Sequence, residues 1–320
     1  MYCQFRSSFT VDPTTGVYTA GILSPTGIPT DPPLTSYGKE QANELADYLL
    51  NIDPPVDRIV SSPYYRCLQT IEPFVVKRNE TRAVSTKDAQ GAIGSADDLA
   101  KIEVESGIGE WFGHAPWEHP APAPLGQLRK LFPDIDDSYR SLVTPPRNGE
   151  TLAQLHDRVA TAVDRIVTQC DREGKKAVVL CTHAAVVIAL GRVLTGNMPD
   201  NVEVEDFAAY TCGLSKYRRR TGVTRSESLD QSALTEIPEW RGGIGISGGW
   251  TCEADSDCSF LNGGPERGWR FAGDESFSAV EGHSLAGSGA GLGVDVEGPG
   301  SRASRKQQQQ QSAILDASKL

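Results

Sequence analysis

The feature that most constrains the fold is an unbroken apolar run, Ala177-Val178-Val179-Leu180-Cys181-Thr182, set between Gly174-Lys175-Lys176 and a helix-like stretch from about 185 to 194. A strand with one wet face alternates apolar and polar residues. A continuous apolar run followed at once by helix instead reads as a strand buried on both faces, as in the parallel sheets of α/β proteins. The flanking segments agree. Thr151 and Gln154 have capping-box spacing, and Leu152, Leu155, Val159, Val163 and Ile166 form a helical stripe that stops near Gly174. Further upstream, Tyr37, Ala42, Leu45, Ala46, Leu49 and Leu50 recur at helical spacing, and Asp53-Pro54-Pro55 ends that helix. Residues 56–61 alternate as a strand, and Ser62-Pro63 opens another helix. The alternation predicts an α/β fold with three layers, α/β/α, around a mostly parallel sheet.

Less regular sequence lies between Pro73 and Pro146, where a short helix is expected over 97–105 and a proline-rich loop over 116–124, placed above the active face. These parts form one domain over 5–220. A glycine- and aromatic-rich segment, 235–278, includes Trp250 and Trp269 and should pack on that domain as a β-rich extension, because exposed aromatics at this density are costly; a docking surface for a protein is the alternative. Residues 279–320 turn to Gly, Ser, Ala and Gln and are expected to be disordered.

Charge narrows the function. A net charge of -11 disfavours a general grip on nucleic acid or an anionic membrane, so any phosphate site must be local. The seven cysteines are scattered, several within apolar runs, and read as reduced thiols, which suits cytosol or nucleus. No signal-peptide core or bilayer-length apolar segment is evident, so a soluble chain without a membrane role is expected. Cys252 and Cys258 have poor zinc spacing, and neither metal nor cofactor is expected.

Open parallel sheets bind ligands at the carboxyl ends of their strands. One such end is Ser61-Ser62-Pro63-Tyr64-Tyr65-Arg66, where Arg66 can turn its guanidinium toward an anion; the bland reading is a surface ion pair. The other is Thr182-His183-Ala184, where His183 is either functional or a satisfied structural histidine. In Gly107-Ile108-Gly109-Glu110-Trp111-Phe112-Gly113, Glu110 is either a solvated loop residue or a desolvated acid with raised pKa, able to donate a proton. Arg218-Arg219-Arg220 is either a contact for a phosphorylated partner or nucleic acid or, the reading preferred, a solvated strand edge; His114 and His119, flanking Trp117, either contact substrate from a lid or, again preferred, belong to a proline-rich surface loop.

Together, Leu34-Thr35-x-x-Gly38-x-x-Gln41-Ala42, Ser61-Ser62-Pro63-x-x-Arg66, Gly109-Glu110-x-x-Gly113, Gly149-Glu150-Thr151, and Thr182-His183 with Gly191-Arg192 resemble, in order and spacing, the histidine phosphatase or phosphoglycerate-mutase-like superfamily. Thr10-Val11-Asp12-Pro13, Leu214-Ser215-Lys216-Tyr217 and the segment from Asp257 to Phe271 are similar to its fungal branch, which includes the phosphatase-like subunit of the RNA polymerase III factor C (tau) complex. In the family, a first strand ends in Arg-His-Gly, whose histidine attacks phosphorus. That motif is missing here, with Tyr2, Cys3 and Gln4 in its place if Arg6 matches the further arginine, so the first strand is expected to be truncated or absent and no nucleophile is assigned. A Cys3 thiolate is poorly held to replace it.

The resemblance implies that Arg66 and Arg6 bind phosphoryl oxygens, that His183 donates to them, and that Glu110 protonates the leaving oxygen. It implies a phosphomonoester phosphatase, impaired or inactive as written, through either a missing first exon or lost catalysis. The rival is a noncatalytic phosphate- or protein-binding module, such as a subunit of a transcription assembly. The ligand would be a phosphorylated small molecule or a phosphoprotein.

Overall fold

The computed structural model describes residues 9–88, 99–220, 237–273 and 294–297. An antiparallel ribbon of β1 (Phe9–Val11) and β2 (Tyr18–Ala20) comes first. Thr35 then caps α1 (Ser36–Leu50) by accepting from Gly38 N at 2.9 Å, which gives two residues of the family-like motif a structural role. Next come β3 (Arg58–Ser61) and α2 (Tyr65–Asp88). The loss of regularity expected at Pro73 does not occur, since α2 runs straight through it. A helix-interior proline costs ~3 kcal/mol, and full burial of a large apolar side chain returns roughly 1.5–3 kcal/mol. Ile71, Phe74 and Val75 are all buried, so packing outweighs the lost hydrogen bond.

The helix expected over 97–105 is likewise corrected. Its described part contains β4 (Ile102–Val104), paired parallel with β3, while Asp97 and Asp98 lie outside the described residues. Ile102 is fully buried and β-branched, so its pairing with Ile59 overrides the local helical pattern. After α3 (Leu125–Leu131) comes α4 (Leu152–Glu173), opened by a complete Thr151–Gln154 capping box and closed by Gly174 in the left-handed region. Then follow β5 (Val178–Cys181) and α5 (Ala184–Thr195).

The strands β4, β3 and β5 form a parallel sheet in that order. Alternation along the strands sorts the core into two faces. Ile59, Val179 and Cys181 pack with Leu45 and Leu49 of α1 and Leu68 and Ile71 of α2. Val60 faces the other way, with Val178 and Leu180, against Leu155 and Val159 of α4 and Val186 of α5. Helices therefore cover both faces of the sheet, giving the predicted three layers.

Beyond the sheet, β6 (Leu214–Arg219) pairs antiparallel with β7 (Trp250–Asp257), and β8 (Arg267–Arg270) with β9 (Val294–Glu297). Trp240, Ile246, Trp269 and Phe271 are buried in the same cluster as α4 and α5, and Leu261 joins the other cluster. The strand β9 corrects the expectation of disorder throughout 279–320, because its backbone completes a ladder with β8; the rest of that tail lies outside the described residues. Arg218 and Arg220 are exposed, as expected of a strand edge, and Arg219 is half-buried. Arg218 pairs with Glu253, Arg219 with Asp171, and Arg220 donates to the Thr195 and Gly243 carbonyls. Among the described residues, no helix is long and apolar enough to cross a membrane.

Candidate active site

Two strand ends bring the site together. After β3 the chain passes through Ser62-Pro63 into α2, which puts Arg66 at its second position, fully buried rather than on the surface. After β5, His183 is the N-cap residue of α5 and is also buried. The Ser62 N–H bonds the Cys181 carbonyl at 2.8 Å, extending the ladder past the last paired residues and fixing the two ends side by side.

Arg66 NH2 donates to Glu110 Oε2 at 2.7 Å, and His183 Nδ1 lies 3.0 Å from the same oxygen and 3.1 Å from Arg66 NH2. The other guanidinium nitrogen donates to the Thr30 carbonyl at 3.0 Å and to Asp31 Oδ1 at 3.2 Å. Tyr64 lies beneath the guanidinium, with its ring centroid 4.7 Å from Arg66 Cζ, and meets the His183 ring edge-on at 5.1 Å. Its hydroxyl reaches the Pro120 carbonyl, which brings the proline-rich loop over the site.

These contacts set the charge states. Burial alone would push the Glu110 carboxyl up, but the attraction and hydrogen bonding of His183 and then of Arg66 more than offset it and hold Glu110 down at about 2. The expectation of a raised pKa is thus corrected, and this carboxylate is an acceptor. Asp31 goes the other way: its burial raises its pKa, and Arg66, reached by a longer contact, compensates only in part. The Arg66 guanidinium, penalised by burial, is nonetheless held above its ordinary value by Glu110 and Asp31.

The loop carrying Glu110 is braced from α4. Arg158 Nε donates to both oxygens of Glu150 at 2.9 Å, and its NH1 donates to the Gly107 and Gly109 carbonyls at 3.0 and 3.2 Å. Trp111 Nε1 bonds the Glu150 carbonyl at 3.0 Å, and Glu150 N bonds Phe112 O at 2.9 Å. Gly149 has φ +79°, and a Cβ there would overlap the Gly113 carbonyl, so Gly149-Glu150-Thr151 is a backbone clamp on the Glu110 loop. Gly191-Arg192 is structural too. A Cβ at Gly191 would overlap the Phe207 ring, and the buried Arg192 forks onto Asp206.

Of the sequence candidates, the fold thus unites Arg66, His183 and Glu110. Arg6 lies outside the described residues, as do Tyr2, Cys3 and Gln4. His119 is not a surface residue: it is buried, accepts the Tyr18 hydroxyl at Nδ1, donates from Nε2 to the Gly113 carbonyl, and stacks on Phe112. Sequence reasoning missed Asp31 and Ser62. Asp31-Pro32-Pro33 signals a turn but not a partner in α2, and Ser62 was visible only as a position in a motif.

The histidine phosphatase superfamily (branch 1) is matched over residues 23–231. The chain is 32% identical to the transcription factor tau 55 kDa subunit of Saccharomyces cerevisiae over 260 residues, covering 77% of this chain and 53% of that protein. It is 28% identical to the ecdysteroid-phosphate phosphatase of Drosophila melanogaster over 179 residues, 55% of this chain and 21% of that protein. The ecdysone phosphate phosphatase of Bombix mori, solved with tungstate, superposes with a TM-score of 0.42 at 22% identity, covering 55% of this chain and 62% of that one. The chain thus spans about half the length of the yeast relative and less of the insect one.

Proposed function

Because the chain belongs to the histidine phosphatase superfamily, we propose that this site recognises the phosphoryl group of a phosphomonoester, on a small molecule or a phosphoprotein. The observation that carries this reading is the convergence of Arg66 NH2, His183 Nδ1 and Glu110 Oε2 within 3.1 Å of one another at the carboxyl ends of β3 and β5. Arg66 offers a planar fork and His183 an N–H to phosphoryl oxygens. When a dianion draws those donors away from Glu110, burial is left as the larger influence on its carboxyl, whose pKa then rises toward that of a proton donor.

Turnover needs an attacking group. The sequence has five histidines, none within an Arg-His-Gly triplet. His119 and His156 are bound up in other contacts, so His183 alone of these three serves the site. The reading is therefore phosphate recognition by these residues, with no attacking group assigned among them. Titration with orthovanadate tests it. Arg66→Ala should weaken binding at least about tenfold, the loss of one charge-assisted contact; unchanged affinity overturns the reading. Acid-labile phosphate on the chain after incubation with an aryl phosphate would assign the attacking group to a histidine outside this cluster.

A role as a subunit of a nuclear transcription assembly is favoured by the 32% identity to the tau subunit over 77% of the chain. That similarity supports a protein complex as the partner. Gel filtration of nuclear extract should find the chain in a large assembly; elution solely as a free monomer would contradict it.

A further inference from the structure

A cavity of about 180 Å³ lies between the Glu110 loop, the proline-rich loop and α3. Pro63 forms one wall. It stands between Ser62, whose Oγ is 2.7 Å from His183 Nε2, and Tyr64, whose ring lies under Arg66; a Cβ at Gly109 would sit 3.9 Å from its Cδ. Ser106 lines a second wall, at the start of the turn Ser106–Ile108 that leads into Gly109 and Glu110. Pro122 and Ala123 line a third, just beyond the Pro120 carbonyl that accepts the Tyr64 hydroxyl. The stretches of chain that build the phosphoryl site therefore also wall this cavity.

Its lining is chiefly apolar. Ala123 and Leu128 are buried, Val104 and Leu125 are half-buried, and all belong to or pack on the core beneath α1 and α2. The polar groups around it are spent on the protein itself. The Tyr139 and Ser141 hydroxyls donate to Glu105 at 2.8 and 2.9 Å, and the Asp136 carboxylate accepts from the Ser138 N–H and hydroxyl at 2.8 and 2.7 Å. Walls of this kind favour an apolar guest, and roughly 150 Å³ of apolar cavity suffices for one benzene ring. We propose that this cavity receives the alcohol portion of the phosphomonoester, and that the portion it selects is apolar and the size of one six-membered ring. The link to a phosphoester rests on the phosphoryl recognition argued above; the affinity of the cavity for a ring does not.

Titration calorimetry of the full chain with phosphonates, whose P–C bond resists hydrolysis, reads the preference. Phenylphosphonate should bind about tenfold or more tightly than methylphosphonate, as burial of one ring implies. Ala123→Phe fills the cavity and should cut that preference to about twofold or less by denying the ring its burial. Methylphosphonate affinity should stay within about twofold of wild type, because the substitution lies outside the phosphoryl contacts. Leu125→Trp narrows the cavity from its half-buried side and serves if Ala123→Phe fails to fold. Equal wild-type affinities for the two phosphonates, or a preference that survives in both variants, overturns the proposal. Phenol gives an arm without phosphorus: at millimolar concentration it should shift the methyl NMR signals of Val104, Leu125 and Leu128 in the wild type, and the absence of any shift likewise overturns the proposal. If phenol shifts those signals while orthovanadate and both phosphonates fail to bind, the phosphoryl reading falls, and with it the assignment of the ring to a phosphoester.

Discussion

Two buried titratable residues give the molecule distinct acid sensitivities. His156, on α4, donates from Nδ1 to the Leu152 carbonyl at 2.7 Å, stacks on Trp240, and is held down at about 4 mainly by burial. Its folded pKa lies below the ordinary 6.5, so as pH falls from 6.5 toward about 4 the unfolded chain binds a proton that the folded one refuses. Stability is lost across that window, on the order of 3 kcal/mol. His156→Phe should flatten the urea midpoint between those limits while preserving the ring stack. For Glu110 the depressed pKa contributes stability that is full above 4.5 and lost as pH falls toward about 2, again on the order of 3 kcal/mol by the same linkage. Glu110→Gln should remove the dependence in this lower window and weaken the fold at neutral pH, since Arg66 then loses a buried counter-charge. Urea midpoints measured from pH 7 to 2 check both, and an unchanged slope in either variant's own window contradicts that assignment.

At the scale of elements, the sheet places the reacting groups and a clamp holds the loop between them. Arg66 and His183 arrive on strand ends whose register is fixed by four paired residues, Arg58 to Ser61 against Val178 to Cys181. Glu110 arrives on irregular chain, which holds its shape because Arg158 and Glu150 occupy the loop carbonyls. Gly149→Ala adds a methyl at φ +79° against the Gly113 carbonyl, so it should cost about 1–3 kcal/mol and displace the Glu110 loop. The expected readout is a lowered thermal midpoint together with weakened vanadate binding; a fall in stability with affinity intact would separate the clamp from the site. The same contacts explain what was legible beforehand. The Thr151 capping box, the Gly174 stop and the apolar run at 177–182 are local signals, and each became the expected helix end or strand. β4 was misread because a three-residue strand is decided by its neighbour, here Ile59 opposite Ile102.

At the scale of the molecule, the extension is part of the core. Trp240, Ile246, Trp269 and Phe271 fill the cluster built on α4 and α5, and truncating one buried Phe or Trp to Ala typically costs roughly 3–5 kcal/mol, against a usual domain stability of about 5–15 kcal/mol. A chain ending at residue 236 should therefore lack a cooperative thermal transition and near-ultraviolet dichroism. Retention of both would show that 9–220 folds alone. The sequence by itself determined the layer order, the helix caps and the identities of Arg66, His183 and Glu110, because periodicity, capping and motif spacing are written in neighbouring residues. Only the tertiary structure decided that Asp31 shares Arg66, that Ser62 faces His183, and that Glu110 is held ionised. Those outcomes depend on separations of 35 to 121 residues along the chain, closed by packing and by the balance of burial against charge, which no local pattern encodes.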